Sequence, residues 1–256
     1  MINSYLINLD KDADRLAFFQ ASFDRLGLTF ERIPAVDGRL FPEAEYQAFM
    51  GERPRRHKSW QRGQMGCFLS HYAAWEKIAA GPDRFCAVFE DDVHLSDDLP
   101  RILADDRWID DTVDIIRLET STNRVRLSRK PALSAANREA FRVRSTTWCT
   151  GGYLINKRTA QALIDLPAHY HEPSDALLFS YDDSAIAADL VTLQFEPALC
   201  TQDKFSATGE VRFHSNIESR PSPLRRLKSK AGKLSPGALG RAFYRSFAGY
   251  RRIGFR

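Results

Sequence analysis

Phe85-Cys-Ala-Val-Phe-Glu-Asp-Asp-Val-His-Leu95 constrains this chain more than any other stretch. The apolar run from Phe85 to Phe89 predicts a buried strand. Glu90, Asp91 and Asp92 follow at once, and Val93 and Leu95 resume the apolar pattern. Adjacent ionised carboxylates are costly to bury unless something cationic pairs with them. A strand that ends in acids therefore points to a metal or polar-ligand site at its carboxyl end, where open α/β sheets bind ligands.

The flanking pattern supplies the sheet. Ser4 to Leu9 predicts a first buried strand, and Asp10 to Gly27 a helix with Leu16, Phe19, Phe23 and Leu26 on one face. Thr29 to Pro34 predicts a second strand, ending in the turn Ala35-Val-Asp-Gly38. This is a βαβ opening. Phe41 to Trp60 reads as a polar loop with a short helix, and Gln64 to Ala80 as a helix stopped by Gly81-Pro82. Helix is expected over Leu99–Asp110, strand over Val113–Leu118, and a basic loop or hairpin over Arg124–Arg144. Trp148 to Ile155 reads as a glycine-broken strand, Lys157 to Leu166 as a helix, and Pro173 to Phe179 as a loop feeding a short helix. Leu190 to Phe195 is a late strand. The expected architecture is one α/β domain over residues 1–218, a Rossmann-like mixed sheet flanked by helices, with an appendage over 219–256.

The appendage differs in charge. Of 37 Lys and Arg, 11 fall between Arg220 and Arg256 with no acid among them, which leaves 26 basic against 33 acidic residues in the rest. An acidic body with a basic tail points to an anionic polymer or membrane surface as partner. Ser235-Pro236 is an N-cap and first-turn pair. Beyond it, helical spacing puts Leu239, Phe243, Phe247, Tyr250 and Ile253 on one face and Arg241, Arg245 and Arg252 on the other. That is the pattern of an interfacial amphipathic helix; packing against the body or another subunit is the competing reading. Nucleic acid is not expected as a partner.

Hydrophobic residues at 43% and charged residues at 27% fit a water-soluble globular chain. No apolar run is long enough to span a membrane, and the first residues lack the features of a secretory signal. Cys67, Cys86, Cys149 and Cys200 are widely spaced, so they read as thiols in a reducing compartment, not as disulfides or a zinc site. The expected location is cytoplasmic.

Four clusters can carry chemistry. Glu90-Asp91-Asp92 offers hard oxygen ligands for Mg²⁺ or Mn²⁺. Gly63-Gln-Met-Gly-Cys-Phe-Leu-Ser-His71 opens a helix with glycines that allow close backbone approach, followed by a hydroxyl and an imidazole; an ordinary capped helix with a core histidine is the plainer account. Thr150-Gly-Gly-Tyr153 predicts a bulge or room for a ligand. Asp175, near Asp182 and Asp183, is either an N-cap or a general base. The P-loop, the dinucleotide fingerprint and the nucleophile elbow are all missing from the sequence, which disfavours their enzyme classes.

In this order the motifs resemble glycosyltransferase family 25, which includes bacterial lipopolysaccharide and lipooligosaccharide galactosyl- and glucosyltransferases. Ile7-Asn-Leu9 with Asp14-Arg15, Ala35-Val-Asp-Gly38, the block from Gly63 to His71, Phe89 to Val93, Tyr153-Leu-Ile155, Pro173-x-Asp175, and Pro197 with Gln202 carry the likeness. Gln64 stands where the family more often has an acid. The resemblance implies a GT-A-like fold, a UDP-sugar donor carrying galactose or glucose, a saccharide or lipid-linked acceptor, and inversion at the anomeric carbon. It implies a divalent ion, Mn²⁺ or Mg²⁺, on Asp92 with Glu90 or Asp91. Asn8, Arg15 and Asp37 would line the nucleotide side, and Gly66, Ser70 and His71 the donor sugar or phosphate. Asp175 would take the acceptor proton, with Asp182 and Asp183 in reserve. A lipid-linked acceptor implies a place at the inner face of the inner membrane, and the basic tail beyond Arg220, which lies outside the family's pattern, would hold the enzyme there. Two other classes are open to the same residues: another metal-dependent nucleotidyl- or phosphoryl-transfer enzyme, and a non-catalytic polyanion-binding module.

Overall fold

The computed structural model describes residues 1–53, 60–121, 123–206, 212–213 and 249–255. The opening follows the apolar pattern. β1 (Asn3–Asn8) is buried along most of its length, and α1 (Ala13–Arg25) buries Phe19 and Phe23, one turn apart. Gly27 at φ +65° then reverses the chain towards β2 (Glu31–Pro34). α2 (Glu43–Gly51), α3 (Arg62–Ala80), β3 (Phe85–Glu90), β4 (Val93–Leu95) and α4 (Leu99–Leu103) follow. Next come β5 (Ile115–Arg117), β6 (Glu119–Thr120), β7 (Arg124–Arg126), β8 (Leu133–Ala135), β9 (Arg138–Arg142) and β10 (Gly152–Asn156). α5 (Lys157–Ile164), α6 (Ser174–Phe179), β11 (Thr192–Glu196), β12 (Cys200–Gln202) and β13 (Tyr250–Arg252) complete the α-helices and strands among the described residues.

Eight strands form one mixed sheet in the order β2-β1-β3-β10-β5-β11-β9-β8. β1 is parallel to both β2 and β3, while β10 runs antiparallel between β3 and β5. Side chains alternate across a strand, so two cores form. Leu6, Ala87, Phe89, Ile116 and Leu154 cluster with Phe19 and Phe23 of α1 and Leu99 and Ile102 of α4. Tyr5, Ile7, Cys86, Val88, Tyr153 and Ile155 cluster with Phe68, Trp75 and Ile78 of α3, Leu163 of α5 and Leu177 of α6. The expected α/β arrangement is therefore present, with helices on both faces of a mixed sheet.

Four segments depart from the sequence reading. α4 ends at Leu103, not near Asp110. The Trp108 indole N–H there donates to the carbonyls of Ile102 and Asp105, and Arg84 pairs with Asp106 at 3.0 Å, so side chains fix a loop. The basic stretch 124–144 holds β7, β8 and β9, and Arg138 within it is buried, bonded to Ser96 and Asp98. β10 begins only at Gly152, because Cys149 has φ +75° and cannot continue a strand. A small sheet, β4-β12-β6, sits beside the end of β3, and no local pattern announced it.

The end of the tail also differs. Ser235, Pro236, Leu239, Arg241, Phe243, Arg245 and Phe247 lie outside the described residues. Tyr250–Arg252, expected on a helix, instead pair antiparallel with β7 as β13. Ile253 is buried with Val125, Leu127, Phe141, Val143 and Ala198. The edge of β7 offers unpaired backbone groups, and a strand satisfies them where a helix does not. Among the described residues no helix is long and apolar enough to cross a membrane.

Candidate active site

A cavity of about 810 Å³ opens at the carboxyl ends of β1, β2 and β3. The turn after β2 and the first half of α3 form one wall, with their backbones in close approach. A Cβ on Gly66 would lie 2.4 Å from the Val36 carbonyl oxygen and 2.5 Å from the Gly38 nitrogen. The Ser70 hydroxyl accepts from the Val36 N–H (2.8 Å) and donates to the Gly66 carbonyl (2.7 Å). Gly66 and Ser70 thus shape the turn that carries Asp37. Gln61 and Gln64 cap each other reciprocally at the start of α3, a role a neutral amide fills as well as an acid. Asp37 pairs with Lys11 and Arg39, and the Arg39 guanidinium holds its carboxyl well below the usual range.

Glu90 sits in a buried network. The Trp75 indole N–H donates to the Tyr153 hydroxyl at 2.9 Å, and that hydroxyl lies 2.9 Å from His71 Nδ1. An indole can only donate. The hydroxyl therefore accepts from Trp75, and the arrangement that satisfies every group has it give its own proton to Nδ1 and places the imidazole proton on Nε2, towards Glu90. Nε2 faces Glu90 Oε1 at 3.3 Å. Thr150 donates to the same oxygen (2.7 Å), and the Gln202 amide donates to Oε2 (3.0 Å). Burial raises the Glu90 pKa, but the His71 and Thr150 hydrogen bonds outweigh it, and Glu90 titrates below its ordinary range.

Asp91 and Asp92 face the other side. Arg15 spans both, with Nη1 3.0 Å from Asp91 and Nη2 3.0 Å from Asp92. The Asn8 amide donates to Asp91 at 2.7 Å. Burial pushes Asp91 up to about 6, against the pull of Arg15 and Asn8. Burial, reinforced by Glu90, pushes Asp92 up to about 7. The cation expected beside these acids is present in part: it is Arg15.

The residues also test the divalent ion. Asp92 Oδ1 is buried without a hydrogen-bond partner, and so is Gln202 Oε1; both residues line the cavity. Unpaired hard oxygens suit Mg²⁺ or Mn²⁺, so Asp92 fits. Both Glu90 oxygens are already engaged. Cys67, His71 and Glu90 also bring ligand atoms within 4.8 Å of one another. That trio does not suit a hard ion: one ligand is a thiol, and the proton on Nε2 blocks another.

Asp175 lines the same cavity. It accepts from the backbone N–H of Cys149 (3.3 Å) and of Ala176 (2.9 Å), and burial raises its pKa. Asp182 bonds Thr146 and Asp183 bonds Ser180, and neither lines the cavity. The glycines of the 150–153 motif make room for side chains, not for a ligand. A Cβ on Gly152 would meet Cys200 Sγ at 2.4 Å, and one on Gly151 would meet Gln202 and Glu119 at 3.0 Å. The sequence reading overlooked Trp148, Lys204 and Phe205, which also line the cavity. Only the fold brings them to Asp92 and Asp175, and no spacing signals it.

A family model described as Glycosyltransferase family 25 (LPS biosynthesis protein) matches residues 1–178. The lacto-N-neotetraose biosynthesis glycosyltransferase LgtE of Neisseria meningitidis is 30% identical over 214 residues, covering 79% of this chain and 74% of the relative. LgtB of the same species is 28% identical over 239 residues, covering 86% and 85%. The lipooligosaccharide biosynthesis protein lic2B of Haemophilus influenzae is 24% identical over 238 residues, covering 89% and 86%. The acids at the end of β3 and the cavity above them thus have their explanation: the chain belongs to glycosyltransferase family 25.

Proposed function

We propose that this glycosyltransferase moves a hexose, galactose or glucose, from a UDP-sugar to a saccharide acceptor of lipopolysaccharide or lipooligosaccharide, with inversion, on a GT-A-like fold. One observation carries the reading. A single cavity is lined by Asp92, which has a buried unpaired oxygen, and by Asp175, a carboxylate held by backbone N–H groups. Asp92, with Gln202 beside it, would hold Mn²⁺ or Mg²⁺, and the ion would supply charge neutralisation for the donor's diphosphate.

The chain's own residues do the rest. Arg15 fixes the orientation of Asp92. Asp175 accepts the proton of the acceptor hydroxyl, and burial suits it to that task by raising its proton affinity. The hydroxyl oxygen bonds to the anomeric carbon as the bond from that carbon to phosphate breaks, and the electron pair leaves with UDP. Lys204, Asp37 and Arg39 line the cavity, where they can meet phosphate and nucleoside. The basic tail is assigned to anionic lipid at the inner face of the inner membrane, where each Lys or Arg near the surface contributes about 1 kcal/mol.

The test is donor turnover. With Mn²⁺ and a panel of UDP-sugars, wild type releases UDP and transfers sugar. Asp92→Asn loses metal-dependent UDP binding, whereas Asp175→Asn keeps that binding and loses transfer. Phosphate release from simple esters without sugar transfer would overturn the assignment.

A further inference from the structure

Four tryptophans occur in the chain, and three are tucked in. Trp60 and Trp75 are buried, and Trp108 packs on Phe195 with its N–H donated to two carbonyls. Trp148 differs. It is 38% exposed and lines the cavity, and among the described residues its indole makes no ring contact and no hydrogen bond. Its backbone is held firmly. The fully buried Arg117 donates from one guanidinium nitrogen to the Trp148 carbonyl (2.9 Å) and from the other to the Cys149 carbonyl (3.0 Å). Arg117 is itself stacked 4.2 Å from the centre of the Phe179 ring. The next N–H, that of Cys149, is bound by Asp175.

An exposed, unpaired indole on a clamped backbone is wasteful for stability and useful for binding, since Trp gives a large rigid face with one polar handle. We infer that Trp148 is the platform on which the acceptor saccharide packs, through a pyranose face that presents C–H groups, while Asp175 meets the hydroxyl that reacts. The inference rests on the glycosyltransfer reading above and adds the acceptor subsite to it. The direct link from Cys149 N–H to Asp175 sets the platform and the base in one frame, so a sugar stacked on the ring is delivered to the carboxylate. The indole's negative π face favours the electropositive C–H side of a pyranose over its hydroxyl rim. A galactose ring, with three neighbouring C–H groups on one face, fits this platform better than a glucose ring.

The experiment uses the full-length protein, Mn²⁺, whichever UDP-sugar wild type turns over, and methyl β-galactoside, methyl β-glucoside and lactose as acceptor probes. Trp148→Ala should raise the acceptor KM roughly 10-fold or more, as expected for losing an aromatic contact face, while the donor KM moves by less than about threefold. Trp148→Phe, which keeps a ring, should retain most of the acceptor affinity. Lactose should protect wild-type fluorescence from acrylamide quenching and give no such protection in Trp148→Phe. An unchanged acceptor KM in Trp148→Ala, with donor turnover intact, overturns the platform and leaves the enzyme class standing. A wild-type protein inert toward every UDP-sugar overturns both.

Discussion

Replacing Tyr153 by Phe removes one oxygen from the interior and leaves two polar groups stranded. Tyr153, Trp75 and His71 are all fully buried, and the hydroxyl satisfies both the Trp75 N–H and His71 Nδ1 at 2.9 Å. No water can replace it without space, and the ring itself is kept. Each orphaned buried group costs about 1–3 kcal/mol, so the variant should be less stable by roughly 2–6 kcal/mol, a large share of a domain's net stability. A second effect follows from the proton assignment. With the hydroxyl gone, nothing obliges Nδ1 to stay an acceptor, and the imidazole proton can move there from Nε2. Glu90 then loses its His71 donor. Urea titration should show a lower midpoint at unchanged slope, the sign of lost stability with the same surface exposed. Nitrogen-15 spectra of labelled histidine should show His71 as the Nε2–H tautomer in wild type and as a mixture in Tyr153→Phe. A loss below about 0.5 kcal/mol together with an unchanged tautomer would refute the network, because both orphaned groups would then have found partners elsewhere.

Glu119 gives a pH test. Burial pushes its carboxyl up to about 8, and Oε1 has no partner. A folded-state value above the unfolded one means that the folded chain keeps a proton the unfolded chain has released. Stability therefore falls as pH rises from about 4.5 to 8, by an amount on the order of 5 kcal/mol across the window. Glu119→Gln stays neutral, so its thermal midpoint should fall less steeply than that of wild type between pH 5 and 8; parallel curves would remove Glu119 as the cause. For the tail, exchanging Arg225, Arg226, Lys228, Lys230 and Lys233 for Gln should shift the protein from the pellet to the supernatant with vesicles rich in anionic lipid. Equal sedimentation would show that these charges do not hold it there.

What could be read from the sequence was local. β1, α1, α3 and β3 announce themselves because their apolar residues repeat at the period of the element, and each buries that stripe on its own face of the sheet. The acids after β3 were legible for the same reason: charge directly after a buried run has few explanations. Elements stabilised at a distance were not. β6 and β12 are two and three residues long, and they exist because they pair with each other and with β4 across the fold. Arg138 reads as one more exposed charge in a basic stretch until Ser96, Asp98 and the carbonyls of Pro197 and Ala198 surround it. Asp182 and Asp183 stood in reserve behind Asp175, and they bond Thr146 and Ser180, whereas Asp175, in the first turn of α6, accepts from the Cys149 backbone N–H and lines the cavity.

The three acids at the end of β3 are not interchangeable, and the pleat explains why. Val88 belongs to the α3 side of the sheet and Phe89 to the α1 side. Glu90, two residues after Val88 and still paired with Ile7, continues the α3 side and meets His71 of α3. Asp91, two after Phe89, continues the α1 side and meets Arg15 of α1 and Asn8 of β1. Asp92 is the first of the three with no place in either alternation. It stands in the turn before β4, where its backbone carbonyl holds Asp203 and one carboxylate oxygen holds Arg15. The other oxygen is left without a partner. Moving the acids by one position would turn Glu90's partners towards α1 and lose the match with His71. The strand's two-residue period thus assigns the first two acids to partners within the protein, and leaves the third as the one with a buried oxygen still unpaired.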